Sequence, residues 1–243
     1  GPLDEDPERL YGEVSARGLA ALLDWIAAAE AGAGAACAAG RGAEVSGRGI
    51  SRWPHGRGAF WDLGSGAGGA VALAALLRPF GRCGGVEVQP ALHRAAEELG
   101  AAFAERACPP FPAAGLEFVR GDCRASPGQP PCWAEADVVL VHATAFGAQL
   151  LGDLARAALH LREGAWLASI SRPLPGAASG IFTLEGKACL PMQYGAAQVY
   201  FQRRTGVHEE DLLTFELQEL LEDELLLQEL LAGGDDAKPP VLR

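Results

Sequence analysis

Apolar positions change their period along this chain, and each change marks an element. From Ser15 onward Leu19, Leu22, Leu23 and Ile26 recur at helical spacing, and Ser15 can cap that helix by accepting from a free N–H of its first turn. A short apolar run at 60–61 ends in the acid Asp62, glycines follow at 64, 66 and 68, and about a dozen small or apolar residues with helical spacing come next. That pattern predicts a strand, a tight turn and a helix. A short second strand over 83–88 contains the acid Glu87, Pro90 opens a helix over about 91–105, and a third strand over 116–122 has Asp122 at its end. Residues 136–141, apolar but for Asp137 near the start, form a strand of the kind buried on both faces of a parallel sheet. A helix over about 148–161 leads to a buried strand at 165–170 and then a Pro/Gly-rich loop. Two strands at about 188–194 and 197–203, separated by Gly195, predict an antiparallel hairpin. Helical spacing returns over about 208–232, where Leu213, Leu217, Leu220, Leu221, Leu227 and Leu231 make one apolar face among acids.

The glycine turn carries the first chemistry. Glycines at 64, 66 and 68 permit positive φ and let a ligand lie directly on main-chain N–H groups. Positions 64, 66 and 69 also satisfy the G-x-G-x-x-G spacing of a dinucleotide loop. Asp62, two residues ahead, would repel a pyrophosphate but suits a ligand that carries positive charge. Glu87 lies 25 residues beyond Asp62, the distance at which a βαβ unit sets the two strand ends side by side, so its carboxylate can accept from both hydroxyls of a ribose. NAD-binding proteins share that device, but they have no reason to end in a hairpin.

Composition narrows the class. The 243 residues suffice for one α/β domain with extensions: an N-terminal helix and loop over 1–58, a catalytic domain over 59–204, and an acidic helix and tail over 205–243. Of the net charge of −11, most sits in residues 208–243, which hold eleven acids against two bases. There is no polybasic arm, and direct nucleic-acid binding is not expected. The acidic helix packs on its own domain or offers a face to a partner, and its charge would attract a basic protein. The stretch 32–58, rich in Gly and Ala and punctuated by Arg41, Arg48, Arg52, His55 and Arg57, reads as a flexible loop or as a guide for an acidic substrate. Six cysteines are scattered without C-x-x-C pairs or zinc spacing, so neither a metal site nor a disulfide framework is expected. With no long apolar run and no secretory pattern, membrane association is not expected and a cytoplasmic or nuclear residence is.

The string Asp62-Leu63-Gly64-Ser65-Gly66-Ala67-Gly68 resembles the first motif of class I S-adenosylmethionine-dependent methyltransferases. Tyr11-Gly12-Glu13-Val14-Ser15, the stretch 60–68, Gly85-Val86-Glu87, Arg120-Gly121-Asp122 and Ala145-Phe146-Gly147 are similar, in order, to motifs of the disruptor-of-telomeric-silencing family. Those are the histone-lysine methyltransferases that lack a SET domain. The resemblance runs from about residue 10 to 203. It implies an α/β Rossmann-like fold with a central, mostly parallel seven-stranded sheet, an antiparallel C-terminal hairpin and helices on both faces. It implies S-adenosyl-L-methionine as cofactor, held by Asp62, Gly64, Ser65, Gly66 and Gly68 at the methionine end and by Glu87 at the ribose. Asp122 and Cys123 would meet the adenine, and Tyr11 and Glu13 would form a lid over the cofactor. Phe146 and Tyr194 would wall a channel for the substrate lysine, with His142 close to the transferred methyl. The family has asparagine where His142 stands, an aromatic where Cys123 stands, and a basic nucleosome-binding extension where this chain ends in acid. Three functions stay open: methylation of a protein lysine, on a histone or another target; methylation of a small molecule; and cofactor-dependent interaction without activity.

Overall fold

A computed structural model describes residues 14–32, 58–106, 115–124, 129–176, 180–193 and 195–206. The chain divides into two units, Gly1–Thr205 and Gly206–Arg243, and the elements described all belong to the first. The motif at Tyr11 to Glu13, Tyr194, the loop over 33–57 and the acidic stretch over 208–232 lie outside the described residues.

In chain order the elements are α1 (Ala16–Glu30), β1 (Ala59–Leu63), α2 (Gly69–Leu77), β2 (Arg82–Glu87), α3 (Pro90–Arg106), β3 (Leu116–Arg120), β4 (Val138–His142), α4 (Ala148–Ala157), β5 (Trp166–Ile170), β6 (Phe182–Met192) and β7 (Gly195–Arg204). One seven-stranded sheet runs β3-β2-β1-β4-β5-β7-β6. The first five strands are parallel, and β7 lies antiparallel between β5 and β6. This is the Rossmann-like sheet of the class I methyltransferase fold. Strand order reverses between β1 and β4, and in such sheets the crevice beyond the carboxyl ends at the reversal is where ligands bind.

Burial explains why the inner strands read as mostly apolar runs. Phe60, Val138, Trp166 and Phe201 join the core that α1 and α2 cover, while their neighbours Trp61, Val139 and Leu167 are as deeply buried toward the opposite face. Strands covered on both sides have no polar face to alternate with.

Helix α1 forms where the spacing predicts it. Gly18 N–H donates to Ser15 Oγ at 3.0 Å, a cap worth roughly 1 kcal/mol. The same hydroxyl donates to Pro191 O at 2.9 Å, and Val14 bridges Met192. The cap therefore also ties the start of α1 to the end of β6. Leu19, Leu22, Leu23 and Ile26 are fully buried, each contributing roughly 1.5–3 kcal/mol. Trp25 stacks on Phe201 with ring centroids 3.9 Å apart, so α1 packs on the hairpin as well as on α2.

The hairpin is longer than the residue pattern suggests. β6 begins at Phe182, six residues before the expected start, and Gly195 is the first residue of β7 instead of a separator. As the outermost strand, β6 leaves Thr183, Leu184 and Glu185 exposed, which hides its alternation, and its register shifts between Leu184 and Gly186. Gly186 lies beneath Trp25, where a Cβ would come within 2.7 Å of the indole. A glycine that reads as loop is here the point where a ring crosses the strand.

Candidate active site

The site is built outward from the end of β1. Gly64, Gly66 and Gly68 take φ of +80°, +53° and +84°, the left-handed conformations that the alternate glycines permit. Gly64 N–H and Ser65 N–H both donate to Val86 O, at 2.9 and 3.0 Å, and Gly68 N–H donates to Ser65 O at 2.9 Å. The loop is thus folded against the end of β2 before α2 starts at Gly69. Gly68 has a second constraint, because a Cβ there would lie 2.6 Å from the Phe118 ring.

Glu87 joins the two strand ends. Its Oε2 accepts from Gly66 N–H at 2.8 Å and its Oε1 from Gln89 N–H at 2.8 Å. The side chain is only 6% exposed, so these charge-assisted bonds fix its direction. Each oxygen keeps lone-pair capacity for a further donor.

On the other side of the crevice, β4 ends at His142 and a turn carries the chain to α4. Phe146 hangs over the glycine loop, its ring 3.2 Å from where a Cβ on Gly64 would stand. Burial holds the His142 imidazole below its ordinary pKa, so it is neutral at pH 7.

At the β3 end, Asp122 is not simply open to a ligand. Arg124 N–H donates to its Oδ1 at 2.9 Å, and the Arg124 guanidinium reaches Oδ2 at 2.6 Å. That hydrogen bonding lowers the Asp122 pKa. Arg124 also reaches Asp153 of α4 at 3.3 Å. Burial, and then the Asp122 charge, push the neighbouring Cys123 thiol up to about 11. The loop is pinned from below by fully buried Trp133, whose indole N–H donates to Cys123 O at 2.8 Å.

These groups share one cavity of about 590 Å³, within the ordinary range for a small-molecule site. Asp62, Gly64, Ser65 and Glu87 line it on one side, with Asp122, Cys123, His142 and Phe146 around the rest. Gly66 and Gly68 shape the loop without being among its lining residues. Tyr11, Glu13 and Tyr194 lie outside the described residues, although Val14, next to Glu13, is in the wall. Residues that the sequence reading passed over also line it: Val88, Leu92, Arg124 and Leu150. Val88 and Leu92 are four apart across the start of α3, a spacing that would have found them. Arg124 closes an Asx-type turn on Asp122, a local signal as well.

The cavity suits a nucleoside bearing a cationic arm. Asp62 brings a carboxylate that is 5% exposed to the glycine loop, Glu87 lies at the neighbouring strand end, and Ser65 Oγ is buried without a hydrogen-bond partner. Among the described residues no cluster of metal-ligating side chains occurs, and no helix is long and apolar enough to cross a membrane.

Sheet order, glycine loop and strand-end acids together define a class I S-adenosylmethionine-dependent methyltransferase. The family model "Histone methylation protein DOT1" matches residues 55–178, just over half of the chain, and the chain belongs to that family. S-adenosyl-L-methionine is accordingly its cofactor. Comparison with curated proteins gives no match. Among solved structures, TrmN from Thermus thermophilus is 21% identical with a TM-score of 0.47, over 60% of this chain and 43% of its own. Precorrin-6y C5,15-methyltransferase from Geobacter metallireducens GS-15 is 15% identical with a TM-score of 0.42, over 60% of this chain and 80% of its own. Magnesium protoporphyrin IX methyltransferase (ChlM) from Synechocystis PCC 6803, with bound SAM, is 12% identical with a TM-score of 0.43, over 60% and 69%. The chain therefore spans less than half the length of TrmN.

Proposed function

We propose that this chain is a protein-lysine N-methyltransferase acting on a lysine side chain of a basic protein. The observation that carries the reading is the meeting of Asp62, Glu87, His142 and Phe146 around one cavity in a chain of the histone-methylation family. A histone-type substrate would place the chain in the nucleus.

When bound, S-adenosyl-L-methionine supplies an electrophilic methyl group on a cationic sulfur. Asp62 would face the positively charged methionine end, the 64–68 loop would hold it, and Glu87 would accept from the ribose hydroxyls. Asp122, steadied by Arg124, would accept from the adenine amino group, and the thiol of Cys123 would give that ring an uncharged contact.

Lysine reaches such a site as an ammonium, with an ordinary pKa near 10.4, and the attacking amine must be neutral. Phe146 excludes water beside the nitrogen, and desolvation lowers the ammonium pKa. His142, held neutral by its burial, is in the protonation state to accept the released proton. Most of the acceleration would come from orientation of the amine by the cavity walls, which can supply up to roughly 7–11 kcal/mol.

Incubation of the full chain with tritiated S-adenosylmethionine and whole-cell lysate tests the reading. A labelled protein band, absent with Asp62→Ala, is expected. Label confined to the low-mass fraction would replace the lysine with a small molecule, and no transfer at all would leave a cofactor-binding interaction protein.

A further inference from the structure

The turn that carries Phe146 is tied down from outside the cavity. Residues 143–147 connect β4 to α4, and a backbone bond that closes the turn at Phe146 runs from its N–H to Ala143 O at a long 3.3 Å. Across from it, just past β5, stand Ser171 and Arg172. Arg172 Nη2 donates to Ala143 O at 3.1 Å and also to Phe146 O. One guanidinium nitrogen thus spans both ends of the turn. Ser171 Oγ lies 2.7 Å from Thr144 Oγ1, which adds a third tie between the same two segments.

Ser171 is also the one non-glycine residue with a positive φ, +74°, among the described residues. Its N–H donates to Gln198 O of β7 at 2.7 Å. That conformation is unfavourable for any residue with a Cβ and persists only where surrounding contacts hold it. Here the main chain is held by β7 and the hydroxyl by Thr144. The Thr144 and Phe146 contacts are solvent-exposed, so they add little to global stability and act mainly on the turn.

We infer that Arg172 and Ser171 form a clamp that sets the position of the Phe146 ring over the glycine loop, and that both are positioning residues for the acceptor amine. Neither residue lines the cavity. The inference deepens the proposed function: it rests on Phe146 walling the lysine channel, while the clamp itself is a statement about the turn.

The experiment compares the intact chain with Arg172→Ala, Arg172→Lys, Phe146→Ala and the double variant Arg172→Ala/Phe146→Ala. Hydrogen exchange read by mass spectrometry reports the turn without any need for activity. The Phe146 amide, which donates to Ala143 O, is expected to exchange at least about tenfold faster in Arg172→Ala, with α1 and the hairpin unchanged, and Arg172→Lys should restore part of the protection. S-adenosylhomocysteine affinity, measured by calorimetry, should stay within about twofold. Methyl transfer to the lysate protein labelled by the parent chain should fall about 10- to 100-fold in kcat/KM. The double variant should fall no further than Phe146→Ala alone, because the clamp works through that ring.

Unchanged exchange at Phe146, or losses that multiply in the double variant, would overturn the clamp. Faster exchange in Arg172→Ala with no methyl transfer by the parent chain would uphold the clamp and overturn the lysine channel.

Discussion

Glu87→Gln is the substitution that separates a wall residue from a binding residue. The two side chains have nearly the same size, so packing is preserved, but the amide has one acceptor oxygen where the carboxylate has two. Both carboxylate oxygens are in use, one on Gly66 N–H and one on Gln89 N–H, each at 2.8 Å. Whichever way the amide is turned, one of these N–H groups then faces an NH2 group in a site that is 6% exposed. An unsatisfied buried donor costs about 1–3 kcal/mol, and loss of the charge from the remaining bond costs about 1 kcal/mol more. The sum of about 2–4 kcal/mol should lower the melting temperature by roughly 4–16 °C. With the charge gone and the loop displaced, the ribose hydroxyls lose their strongest acceptor. S-adenosylhomocysteine affinity should then fall about 10- to 100-fold. Differential scanning calorimetry and isothermal titration on the same preparations give both quantities. A variant with parental melting temperature and affinity within twofold would refute the reasoning, because it would mean that neither oxygen matters to loop or ligand.

Gly68→Ala combines a φ of +84° with a Cβ that would sit 2.6 Å from the Phe118 ring. The conformational part costs about 1–2 kcal/mol and the overpacking about 1–3 kcal/mol, a loss that urea denaturation should register. His142 is partly buried, and that desolvation lowers its pKa, so below its unfolded value near 6.5 the unfolded chain binds the extra proton. Stability should therefore rise with pH from the folded pKa up to about 6.5 and level off above it, and His142→Asn should flatten that rise in urea midpoints taken from pH 5 to 8. Asp122→Asn should leave thermal stability nearly unchanged, because solvent screens its exposed pair with Arg124. It should nevertheless weaken S-adenosylhomocysteine binding about tenfold by removing the charged acceptor at the adenine end.

What the residues announced in advance were the features decided by near neighbours. The strand, glycine turn and helix from 59 to 77 follow from an apolar run, three residues able to take positive φ and a helical repeat, all within one stretch. Ser15 caps α1 for equally local reasons. Glu87 was legible as a strand-end acid, but its two N–H partners were not, since one belongs to a loop 21 residues earlier. Arg172 bonds carbonyls 26 and 29 residues away, and Trp133 reaches back ten residues to Cys123 O. No period or motif announces such contacts, because they arise only when the sheet sets separate loops side by side. The start of β6 was hidden for a related reason: Gly186 reads as loop until Trp25 is seen to cross it.

Where the cofactor lies is tested most directly by a crystal structure of the chain grown with S-adenosylhomocysteine. The ribose hydroxyls are predicted on the Glu87 carboxylate, the methionine arm on the 64–68 loop with its amino group toward Asp62, and the adenine between Asp122 and Val88. Density for the ligand in another cavity, or a nucleoside in this one that touches neither Asp62 nor Glu87, would contradict it.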